Sequence, residues 1–98
     1  MRDAGATARR DGLTVFVAPA TPGEPGGRVG ITIPGAVGGA VVRNRLRRRL
    51  RAALQQTDLG PDRDVVVKVD RSAAGASYRE LETNLTSALS RANERLGP

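Results

Sequence analysis

Six arginines fall within the nine residues Arg43-Asn44-Arg45-Leu46-Arg47-Arg48-Arg49-Leu50-Arg51, and no acid interrupts them. The 98-residue chain carries 16 Lys+Arg against 10 Asp+Glu, a net charge of +6, so this segment holds the whole excess. Like charges at i, i+3 and i+4 repel and destabilise an isolated helix, which makes a plain solvated face a poor explanation. Arginine throughout, with no lysine in the run, favours bidentate phosphate contacts and stacking on bases. The segment reads as a seat for a polyanion, most simply a nucleic acid.

Other chemistry is thinly represented. The chain has no histidine and no cysteine, which removes the usual general base at neutral pH, thiolate nucleophiles, disulfides and the commonest metal ligands. An independent enzyme is the least supported class. Asp62, Asp64 and Asp70 flank one strand and could help hold Mg²⁺, but acids there serve first as turn residues. Phe16 and Tyr78 are the only aromatics. Phe16 reads first as a core residue, with stacking on a nucleobase as the alternative. The glycines of Pro34–Gly39 could cradle phosphate before a helix, although no Lys-Ser/Thr follows as a P-loop requires. A flexible strand-to-helix junction is the simpler reading.

The elements follow from pattern. Residues 1–11 are small and polar and read as a flexible N-terminal arm; residues 12–96 form one α+β domain. At this length a chain buries only about 60–65% of its unfolded surface, and the core must be aliphatic. Leu13 to Ala18 and Arg28 to Ile33 are strand-like, joined by the turn Thr21 to Gly27, and read as a hairpin. A helix is predicted from about Ala40 to Gln55, with Val42, Leu46, Leu50, Ala53 and Leu54 on one flank. Arg45, Arg47, Arg48 and Arg51 lie opposite with Asn44, and Arg43 and Arg49 at the borders. Gly60-Pro61 ends that unit. The β-branched run Asp64 to Val69 suggests a strand covered on most of both faces. Ser77 with Glu80 forms a capping box, and Tyr78, Leu81, Leu85, Leu89, Ala92 and Leu96 repeat at helical spacing up to Gly97-Pro98. The order is β-β-α-β-α, with helices packed on a small sheet. No segment approaches the roughly 20 apolar residues of a membrane span. Met1 to Asp11 is no secretory signal, and the absence of cysteine fits a reducing, cytoplasmic setting.

Gly39-Ala40-Val41-Val42-Arg43-Asn44-Arg45-Leu46-Arg47-Arg48-Arg49-Leu50-Arg51 closely resembles the signature of the bacterial ribonuclease P protein subunit, approximately G-x-A-V-x-R-N-R-x-[KR]-R-x-[IL]-R. Weaker similarity extends to Arg28-Val29-Gly30-Ile31, to Asp64–Val69 and to the helix opened at Ser77, covering roughly residues 12–95. The resemblance implies a ribosomal-protein-like fold with a left-handed strand–helix–strand crossover, an exception to the usual hand. It implies partnership with a catalytic RNA that removes the 5′ leader of precursor tRNA using Mg²⁺ held mainly by the RNA, in a 1:1 ribonucleoprotein. By position it makes Arg43, Asn44, Arg45, Arg48 and Arg51 RNA-contacting, with Arg47 at another commonly basic site.

Two departures from the family pattern fall on the leader side. The family begins with a helix bearing basic residues and phenylalanines, where this sequence has about a dozen residues without an aromatic before its first strand. Pro34-Gly35-Ala36 replaces a Ser-Lys-Lys-like step. Leader contact is then left to Phe16, Thr32 and Lys68, with Thr14, and leader recognition is expected to be weaker than in relatives with the helix. Two other classes compete: a ribosome-associated RNA-binding module, and a DNA-binding protein using the arginine helix. The second lacks a helix-turn-helix, since the only other helix follows a strand.

Overall fold

The computed structural model describes residues 5–20, 28–59 and 63–97. Asp11 and Gly12, with φ of 44° and 89°, make a two-residue turn between β1 (Ala6–Arg10) and β2 (Leu13–Pro19). Asp-Gly suits this turn because both positions need φ above zero. Gly12 is required twice over, since a Cβ there would lie 2.8 Å from the Ala73 nitrogen. The expected loose arm therefore fails for Ala6–Arg10, which pairs along its whole length with Leu13–Val17. Residues 1–4 and the expected turns at 21–27 and 60–61, with Asp62, lie outside the described residues.

After β3 (Val29–Thr32) a 3-10 turn at Gly35–Val37 leads into α1 (Ala40–Gln55). Gly38 admits the close approach of Val42, which a Cβ would meet at 2.9 Å. β4 (Arg63–Val69), a 3-10 turn at Arg71–Ala73 and α2 (Tyr78–Leu96) complete the chain. The sheet order is β1-β2-β4-β3. β4 runs antiparallel to β2 and parallel to β3, so the expected hairpin between β2 and β3 does not form. The β-branched run of β4 wins the central position, where Val65, Val67 and Val69 are fully buried.

Both helices cover the same sheet face, and the fold is α+β as anticipated, with β1 added to the expected order. Leu13, Val15 and Val17 of β2 meet Leu81, Leu85 and Leu89 of α2, and Leu46 and Leu50 of α1, in one core. The other face stays open. Val66 is 40% exposed and Lys68 is exposed, so coverage of β4 on both faces is not realised. In α1, five arginine pairs stand at i,i+3 or i,i+4 and together oppose the helix by about 1–2.5 kcal/mol. Burying Leu46 and Leu50 completely contributes about 1.5–3 kcal/mol each, which outweighs that repulsion.

Candidate nucleic-acid interface

α1 starts without help. Its N-cap, Gly39, offers no side-chain hydrogen bond, and its first turn holds no acid. What fixes it, besides its leucines, is a set of arginine tethers. Arg43 Nε donates to the Gly38 carbonyl at 3.1 Å, Arg47 to the Ile31 carbonyl of β3 at 3.3 Å, and Arg49 to the Ala76 carbonyl at 2.8 Å. All three are partly buried. Each tether places a cation on a carbonyl dipole, the stronger charge-assisted type of bond.

Among the described residues nothing engages the side chains of Asn44, Arg45, Arg48 and Arg51. Asn44, Arg48 and Arg51 are exposed along the outer face, whereas Arg45 is half-buried on one flank. The six arginines thus divide evenly into three structural and three available ones. Arg47, expected on the outer face, instead turns to β3. Arg43, expected to contact RNA, is drawn back onto the glycine junction. That junction is itself a connection, with Gly38 serving the packing of Val42.

The open sheet face carries a second surface, arranged by strand register in two transverse rows. Thr7, Phe16, Val66 and Gly30 form one row, and Arg9, Thr14, Lys68 and Thr32 the other. Phe16 is 40% exposed and therefore not core; its ring lies over Gly5, where a Cβ would clash. Phe16, Thr32 and Lys68 do share one face, as does Thr14. Sequence reasoning missed Arg9, Thr7 and Val66. The Asp11-Gly12 pair was the available signal, because it announces a hairpin that brings β1 alongside β2.

Arg9 is held by Asp70 at 2.7 Å. The Arg9 bond, followed by the Ser72 backbone N–H, holds the Asp70 carboxyl below the usual carboxylate range. Asp64 accepts from the Arg28 backbone N–H at 2.8 Å. Both acids therefore serve turns and strand ends. Among the described residues no group of three or more potential metal ligands occurs, so these residues do not fit a protein-held Mg²⁺. Among the described residues no helix is long and apolar enough to cross a membrane.

The family model for Ribonuclease P matches residues 2–93. The ribonuclease P protein component of Beutenbergia cavernae is 48% identical over 79 residues, covering 79% of this chain and 66% of that protein. That of Thermobifida fusca is 42% identical over 93 residues, covering 87% of this chain and 63% of that protein. The chain thus spans slightly under two thirds of these relatives' length. The solved RNase P protein of Staphylococcus aureus has the same fold, with a TM-score of 0.80 at 20% identity over 91% of this chain and 82% of that one. With the arginine helix set between β3 and β4 and the family model spanning nearly all its length, this chain belongs to the ribonuclease P protein family.

Proposed function

We propose that the chain acts as the protein subunit of a bacterial ribonuclease P, in the cytoplasm and as one copy per catalytic RNA. The observation that carries this is the division of the arginines on α1. Arg45, Arg48 and Arg51 stay available beside Asn44 while their neighbours fasten the helix to the fold. A rigid element presenting unpaired guanidinium groups suits the phosphates of a folded RNA. Arg43 and Arg47 keep N–H groups that their carbonyl bonds leave unused, and add positive field at the edges of the same surface.

Substrate falls to the other surface. Phe16 offers a ring for one unstacked base of a precursor's 5′ leader, and Lys68, with Thr14, Thr32 and Arg9, offers donors to its phosphates. Mg²⁺ belongs with the RNA, which carries the chemistry; the protein's part is to hold the two RNAs and lower their mutual repulsion. The test is reconstitution with the ribonuclease P RNA of the source bacterium. The protein should promote 5′ maturation of precursor tRNA, most visibly at low Mg²⁺, and should not cleave when RNA-free. Metal-dependent cleavage by the protein alone, or no stimulation of the RNA, would overturn this reading.

A further inference from the structure

On the helix-covered side of β3, at the free edge of the sheet, a groove of about 380 Å³ opens between β3 and α1. Its floor is apolar, built from Val29, Ile31, Leu54 and Leu59. Val29 is 48% exposed, an unusual position for a valine on the core-facing side of a strand. Arg47 and Arg51 stand at the rim with the amide of Gln55, and among the described residues no carboxylate lines it. The groove is separate from the open face. Val29 and Ile31 pair with the buried Val65 and Val67, whereas Gly30 and Thr32 pair with Val66 and Lys68 on the opposite side.

We propose that this groove takes one unstacked nucleotide of the RNA held by α1, base inward and phosphate at the rim. The inference rests on the RNA-binding reading of α1 and adds a site to it. Three features select this occupant. The apolar floor favours a flat, weakly hydrated group, and the volume falls in the range of small-ligand clefts. Two guanidinium groups at the rim, with no carboxylate among the described lining residues, select an anion attached to that group. Arg47 is fixed to the Ile31 carbonyl, so its plane is held in place for stacking on a base. Gln55 supplies both a donor and an acceptor for a base edge. Arg51 belongs to both the outer face of α1 and the groove rim, so an RNA strand crossing the helix meets the groove without a break.

The test compares two kinds of loss with the cognate ribonuclease P RNA as probe. Val29→Ser with Leu59→Ser should weaken binding about tenfold, the scale of losing one base contact, and leave the slope of log K against log salt unchanged. Arg45→Ala with Arg48→Ala should flatten that slope by about one unit per lost phosphate contact. Loss in the arginine variant with none in the groove variant defeats the groove and spares the RNA-binding reading; no change in either defeats both. A second measurement needs no variant. In the unaltered chain, methyl resonances of Val29 and Ile31 should shift with hexa-adenylate and not with an abasic strand of equal length. Equal shifts with both strands would make the rim a phosphate site only and overturn the proposal, as would a failure of hexa-adenylate to move them.

Discussion

Arg48 and Arg49 are neighbours with the same side chain and opposite duties. Arg49 is bonded to the Ala76 carbonyl, whereas Arg48 is exposed and unengaged. Arg49→Ala should cost about 1–2 kcal/mol of stability by stranding a partly buried carbonyl. Arg48→Ala should leave the melting temperature unchanged or raise it slightly, because it relieves like-charge repulsion. RNA affinity should respond in the reverse order, with the salt slope flattened by about one unit for Arg48→Ala. Thermal melts and salt titrations of both variants check this, with Arg91→Glu on α2 as a distant charge control. The cationic segment was legible in the sequence, and so was the pairing of Asn44 with Arg48 and Arg51 on one face. The division of labour was not, because carbonyls at Gly38, Ile31 and Ala76 come from three separate parts of the chain. Helical periodicity sees none of them.

At the level of elements, the two helices begin in opposite ways. α2 has a complete capping box, with Ser77 accepting from the Glu80 N–H and Glu80 accepting from the Ser77 N–H at 2.8 Å. The hydrogen bond from the Ser77 backbone holds the Glu80 carboxyl below its usual range. A carboxyl lowered on folding adds stability above its ordinary titration range, and that stability is lost as pH falls through the lowered value. Glu80→Gln should therefore lower the melting temperature at pH 7 and make its fall on acidification below the ordinary carboxylate range shallower than in the parent. The box was readable from Ser77 and Glu80 alone, since its partners lie three residues apart. The β1–β2 turn is the converse case. Gly12→Ala should destabilise by about 1–3 kcal/mol, read from denaturant midpoints, because φ of 89° and the Ala73 backbone both oppose a side chain. The strand feeding this turn was misread because Ala6 to Arg10 has only alanines to mark its buried face. The position of β4 was misread for another reason. Adjacent strands in sequence usually pair, and nothing local reveals that a strand 30 residues onward will part them.

Across the whole molecule, charge and topology separate two surfaces, the outer face of α1 and the open sheet face behind it. If these take different RNAs, Lys68→Ala with Phe16→Ala should reduce affinity of the reconstituted enzyme for precursor tRNA with a leader. It should leave affinity for mature tRNA, and for the catalytic RNA itself, near that of the parent. Equal loss for precursor and mature tRNA would show that the open face does not meet the leader. The composition alone foretold an aliphatic core, and all 19 buried core residues among the described ones are aliphatic.

The insertion of β4 between β2 and β3 also sets an order in time. A chain emerging N-terminus first can close the β1–β2 hairpin at once, because its contacts are local. β3 then has no neighbour until Arg63–Val69 arrives, and the core around Leu46 and Leu50 stays incomplete until β4 and α2 follow. For that interval the six arginines have neither a packed helix nor the Ala76 carbonyl that ties down Arg49, and the nearest polyanion is the RNA of the ribosome making them. Nascent chains stalled before Arg63 should cling to RNA of any sequence and release in modest salt. Chains extended past Leu96 should do so far less, having exchanged a loose cationic strand for a shaped one.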